Sequence, residues 1–112
     1  MRLVAFDQLI AFVDEALRVL KPDGLLLVES PNPENVIVGS CNFYLDPSHL
    51  RPVPSQVMHF LLEARGFSNI EVINLHPLPS QRIAGDSELI HRFNDMFYGP
   101  MDYGIVARRM PV

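Results

Sequence analysis

A small α/β sheet, about three strands alternating with about three helices, is the fold class that this chain predicts. Three observations carry it. Amphipathic stretches of helical period alternate with short apolar runs in the order α-β-α-β-α-β. Gly or Pro punctuates the changes of pattern, as at Lys21-Pro22-Asp23-Gly24, Gly66 and Gly99-Pro100. The 112 residues, 48% hydrophobic and 20% charged, have the length and composition of one globular domain and are too few for two.

Asp7 can cap a first helix running to about Leu20, whose Leu9, Ile10, Val13, Ala16, Leu17 and Leu20 fall on one stripe. Lys21 to Gly24 ends it and turns the chain. Leu25-Leu26-Leu27-Val28 follows as an unbroken apolar run, the pattern of a strand covered on both faces in the middle of a sheet. A loop of about 23 residues comes next, long enough to be functional, with Val36-Ile37-Val38 and Phe43-Tyr44-Leu45 as anchors that predict order. Ser55 to Arg65 reads as a helix with Val57, Met58, Leu61 and Leu62 on one face. Gly66 ends it, and Phe67 is placed to fold back on its last turn. Asn69 to Leu75 reads as the second strand. Asp86 or Ser87 caps a third helix with Leu89, Ile90, Phe93, Met96 and Phe97 on its apolar side, broken by Gly99-Pro100. Asp102 to Arg108 is the last strand, with Tyr103, Ile105 and Ala107 on one face and Gly104 and Val106 on the other. An apolar strand near the edge of so small a sheet needs a partner, either the rest of a larger fold or a second copy.

Composition excludes several functions. A net charge of -4 offers no basic footprint for nucleic acid or an anionic membrane. The single cysteine, Cys41, rules out an intrachain disulfide framework and a cysteine-rich zinc site, and it reads as a small buried residue. The longest stretches without Asp, Glu, Lys or Arg, such as Asn35 to Leu45, run 11 residues, too short to span a bilayer. Asp7, Asp14 and Glu15 interrupt any signal-peptide core, so the expectation is a soluble cytoplasmic protein. Ten prolines, about twice the usual share, cluster between Pro31 and Pro54 and again at Pro77 and Pro79, marking irregular segments where a surface site can be built.

The run Glu15-Ala16-Leu17-Arg18-Val19-Leu20-Lys21-Pro22-Asp23-Gly24-Leu25-Leu26-Leu27-Val28-Glu29 resembles a segment of class I S-adenosylmethionine-dependent methyltransferases. In that family a helix ends in a lysine-proline-glycine-glycine turn and feeds the fifth strand of the sheet; Asp23 stands here for the first glycine. Phe60 to Phe67 resembles the family's helix before the sixth strand, and Asp102 to Arg109 its final antiparallel strand. Glu29-Ser30-Pro31-Asn32-Pro33-Glu34-Asn35, with Phe43-Tyr44-Leu45-Asp46-Pro47-Ser48-His49, resembles the branch that serves surface-polysaccharide and sugar biosynthesis.

The resemblance covers almost the whole chain and implies a partial Rossmann-like methyltransferase sheet, two strands parallel and the last antiparallel. It also implies that residues 1–112 are one domain, the second, substrate-side half of that fold. The donor-binding half, whose acidic-x-glycine-x-glycine loop cradles S-adenosylmethionine, has no counterpart. The six glycines include no two that are two residues apart, and close backbone approach at such a turn needs glycine. S-adenosylmethionine is therefore expected as the donor of the intact family and not as a ligand of this chain alone.

Ligands of open α/β sheets bind beyond the carboxyl ends of the strands, which points to the loop after Glu29. Glu29 can orient an acceptor hydroxyl. Asn32 and Asn35 can hydrogen-bond hydroxyls, or can simply form the turn beside Pro31 and Pro33. Tyr44 can line a sugar surface or pack under the loop. Asp46-Pro47-Ser48-His49 allows an imidazole base with Asp46 holding its tautomer, against an Asx-type turn with an incidental histidine. The resemblance favours His49 as the base, with Arg51 as an anion clamp. Cys41, Asp46 and His49 match metal ligands in type only, and their spacing fits no closed zinc pattern, so no metal is expected. His76 ends a strand and reads as a rim residue; His59 and His91 read as partly exposed helix residues.

Two functions follow. One is a fragment or subunit of an O-methyltransferase acting on a saccharide or related acceptor, inactive without its N-terminal half. The other is a non-enzymatic module that dimerises through the exposed strand Leu25 to Val28.

Overall fold

The computed structural model of the chain describes residues 6–46 and 52–110. Helix α1 (Phe6–Val19) starts one residue ahead of Asp7, so Asp7 lies in its first turn rather than at its cap. Its Leu9 and Val13 are buried. The turn that follows closes with the Gly24 amide donating to the Lys21 carbonyl at 2.8 Å, and Asp23 adopts a left-handed φ of 65°. Strand β1 (Leu25–Pro31) leads into a short helix α2 (Val36–Ser40) and a 3₁₀ turn at Asn42–Leu45. Helix α3 (Ser55–Ala64) ends at Gly66, whose φ of 114° reverses the chain and drops Phe67 fully into the core. Strand β2 (Phe67–Leu75), a 3₁₀ turn at Pro79–Gln81, helix α4 (Glu88–Tyr98) and strand β3 (Asp102–Arg109) complete the order. Ser87 caps α4, its Oγ accepting from the Ile90 amide.

The sheet order is β1-β3-β2, and both outer strands pair antiparallel with β3. The two outer strands thus run in the same direction and the last strand opposite to both, but the sheet has no parallel ladder, because β3 inserts between β1 and β2 and keeps them apart. A bulge between Ser68 and Glu71 is accommodated by Asn69 at a φ of 50°. The described residues form four α-helices, one more than expected, because α2 folds within the long loop after β1.

One face of the sheet is covered. Val28, Tyr103, Ile105 and Ala107 meet Leu9 and Val13 of α1 and Met58, Leu61 and Leu62 of α3. Tyr103 Oη donates to the Val53 carbonyl at 2.7 Å, tying the segment before α3 to β3. Among the described residues nothing covers the other face. Leu25 is 51% and Leu27 73% exposed, which corrects the expectation of a strand buried on both sides: β1 is an edge strand with one covered face. The apolar side of α4 is likewise less buried than its stripe predicts, with Leu89 and Met96 exposed. Cys41, expected buried, is exposed at the junction of α2 and the 3₁₀ turn.

Candidate functional site

Strand alternation places Glu29 on the open face with Leu27, since Val28 and Ser30 point into the core. Register then decides its neighbours. Gly104 of β3 lies opposite Glu29, and Asp102, at the start of β3, lies opposite Leu75, the last residue of β2. The next residue, His76, takes a left-handed φ of 57°. Its Nδ1 lies 2.7 Å from Asp102 Oδ2 and 3.7 Å from Glu29 Oε1. One imidazole and two carboxylates thus converge where β1 and β2 end and β3 begins.

The hydrogen bond to Asp102 is the main cause that raises the His76 pKa above its ordinary value. Partial desolvation opposes it, and the charges of Asp102 and Glu29 add to it. A carboxylate on Nδ1 fixes the imidazole tautomer and leaves Nε2 available to exchange a proton; the same three side chains also offer one nitrogen and two oxygen ligands to a cation. Beside them a groove of about 410 Å³ runs over the open face, lined by Leu27, Glu29, Ile73, Leu75, Gly104 and Val106. Gly104 forms its floor, where a Cβ would come within 3.2 Å of Leu75 Cδ1.

Of the residues singled out in the sequence, Glu29 belongs to this cluster. Asn32 and Asn35 sit just beyond β1 and are buried. Asn32 Nδ2 donates to the Pro100 carbonyl at 3.0 Å, and its Oδ1 accepts from the Glu34 amide at 3.1 Å. Asn35 Oδ1 accepts from the amides of Ile37 and Val38, capping α2, while its Nδ2 donates to the carbonyls of Phe97 and Gly99 at the end of α4. With its polar atoms engaged and 1% of its surface exposed, Asn35 makes the turn that the sequence offers as one of its two readings. Tyr44 is exposed and stands edge-on to Phe43 with ring centroids 5.2 Å apart. Asp46 is exposed at the end of the 3₁₀ turn. His49 and Arg51 lie outside the described residues.

Two members of the cluster were not singled out as ligand-binding in the sequence. His76 reads there as a rim residue, and Asp102 only as the start of a strand. What unites them with Glu29 is the insertion of β3 between β1 and β2, a tertiary fact. The resemblance of Asp102 to Arg109 to a final antiparallel strand is the signal from which that neighbourhood follows.

No family model matches the sequence, and no curated protein matches it. Among solved structures the chain is similar to a SAM-dependent methyltransferase from Archaeoglobus fulgidus, with a TM-score of 0.85 and 27% identity. The match covers 95% of this chain and 54% of the other, so the chain spans about half the length of the structure it resembles. The fold of these residues is methyltransferase-like. No helix among the described residues is long and apolar enough to cross a membrane.

The glycines do not fit a donor cradle. Gly24 and Gly66 precede β1 and β2, Gly39 lies in α2 against the Pro33 carbonyl, and Gly85 packs on Ile90. Gly99 and Gly104 precede or lie in β3. None forms the turn that leaves the carboxyl end of a strand, where a nucleotide-like donor is held.

Proposed function

We propose that these residues form the acceptor-side half of an S-adenosylmethionine-dependent O-methyltransferase acting on a saccharide or related hydroxylated acceptor. The observation that carries this reading is the likeness to the A. fulgidus methyltransferase over 95% of this chain and only 54% of that one. On this reading donor binding belongs to a partner half, either elsewhere in the same protein or on another chain. This chain's task is to hold the acceptor and receive its proton, because a hydroxyl must lose a proton to become a methyl ether. Glu29 and Tyr44 are assigned to acceptor contact, Asp46 and His49 to the base, and Arg51 to an acidic group of the acceptor. The resemblance of the segment from Glu29 to His49 to the sugar branch supports the acceptor class.

A chimera tests this: the chain replaces the segment of the A. fulgidus enzyme that it matches, and labelled donor is supplied with a panel of saccharides. The expected result is transfer to a saccharide hydroxyl, reduced at least about tenfold in His49→Ala. A chimera that folds and binds the donor yet labels no hydroxylated acceptor would overturn the reading.

One observation favours a second reading, self-association. The outer edge of β1 has no partner strand among the described residues, and its Leu25 and Leu27 are exposed. Pairing two β1 edges about a two-fold axis would build a continuous six-stranded sheet. Sedimentation analysis should then find a dimer at micromolar concentration that Leu27→Lys weakens; a strictly monomeric chain would contradict it.

A further inference from the structure

We propose that Glu29, His76 and Asp102 form a binding site for a divalent first-row transition cation such as Zn²⁺ or Co²⁺. This inference does not rest on the methyltransferase reading. The three residues come from the end of β1, the residue after β2 and the start of β3, so the sheet itself sets their spacing. One ligand atom from each lies within 4.8 Å of the others: His76 Nδ1, a Glu29 oxygen and an Asp102 oxygen. Metal–ligand bonds of about 2.0–2.2 Å separate neighbouring ligand atoms by about 3.0–3.5 Å. The observed 2.7 Å from His76 to Asp102 and 3.7 Å from His76 to Glu29 bracket that range. Glu29 and His76, both exposed, have room to adjust toward it, while Asp102 is half-buried and held in place.

One imidazole with two carboxylates suits the borderline ions from Mn²⁺ to Zn²⁺ better than a soft or a purely oxygen-seeking ion. The pair of carboxylates also neutralises a divalent charge, so the bound site is electrically balanced.

A second observation points to a ligand. The triad stands at one end of the open-face groove, and Glu29 belongs to both. Three protein ligands leave coordination positions open, and the groove supplies room for a small molecule whose oxygen fills one. An apolar floor of Leu27, Ile73 and Val106 beside a cation fits a molecule with a hydrophobic body and a hydroxyl or carboxylate end. The ion would act on that oxygen as a Lewis acid.

The test titrates Zn²⁺ alone into the purified chain by calorimetry and Co²⁺ with its visible absorption as readout. One ion per chain is expected, with His76→Ala and Asp102→Asn each weakening binding by about tenfold or more. Glu29→Gln, which keeps shape and removes charge, should do the same. His59 Nδ1 lies 3.6 Å from Glu63 Oε2 and is the rival described pair, so His59→Ala is the control expected to leave binding unchanged. Absence of saturable binding, or binding that survives both His76→Ala and Asp102→Asn, would overturn the proposal.

Discussion

Asn35 is one side chain with four hydrogen bonds: to the Ile37 and Val38 amides at 2.9 and 3.3 Å, and to the Phe97 and Gly99 carbonyls at 3.3 and 3.2 Å. It caps α2 and fastens it to the end of α4. Asn35→Ala removes the cap and leaves buried backbone groups without partners, and we expect a loss of about 3 kcal/mol in urea unfolding. Asn35→Asp keeps the cap but aims a carboxylate oxygen at two carbonyls, so it should cost at least as much at neutral pH. At this scale the sequence is half legible. That Asn32 and Asn35 matter is visible from their setting beside Pro31 and Pro33; that both fasten this segment to residues 97–100 depends on carbonyls more than sixty residues away. Glu29 is legible because it closes the apolar run Leu25 to Val28, whereas Asp102 looks like any strand-initiating residue until register brings it beside Leu75.

At the scale of elements, the turn from α1 to β1 carries a cost. Asp23 holds a φ of 65°, where the resembling family has glycine, and the Asp23 amide donates to the Arg109 carbonyl. Asp23→Gly should leave stability unchanged or raise it, while Asp23→Val, which tolerates that conformation badly, should lower it by about 1–2 kcal/mol. Unfolding midpoints of the two variants measure the difference. The α1, α3 and α4 boundaries are legible to within a residue or two, because an apolar stripe and a glycine or proline stop agree there, and Ser87 caps α4. Two expectations failed for one reason. Four consecutive apolar residues do not say whether one or both faces of a strand are covered, and an apolar helix stripe does not say what covers it. Leu25 and Leu27 of β1, and Leu89 and Met96 of α4, are apolar by sequence and exposed by position.

At the scale of the molecule, the radius of gyration is 15.9 Å, against about 13 Å for a self-contained domain of this length. The extents of 51 × 30 × 19 Å describe a slab whose thin dimension holds one sheet and one helical layer. A mostly parallel α/β fold covers its sheet on both faces, and here the face of Leu27, Ile73 and Val106 is uncovered. No two glycines are two residues apart in the sequence, and none forms the turn that leaves the carboxyl end of a strand; both observations support the proposal that another half binds the donor. The most direct test is a calorimetric titration of S-adenosylmethionine, up to millimolar, into the isolated 112-residue chain. No saturable heat is expected if donor binding belongs to another half. Stoichiometric, saturable binding would contradict that assignment, because these residues would then hold the donor that we assign to another half.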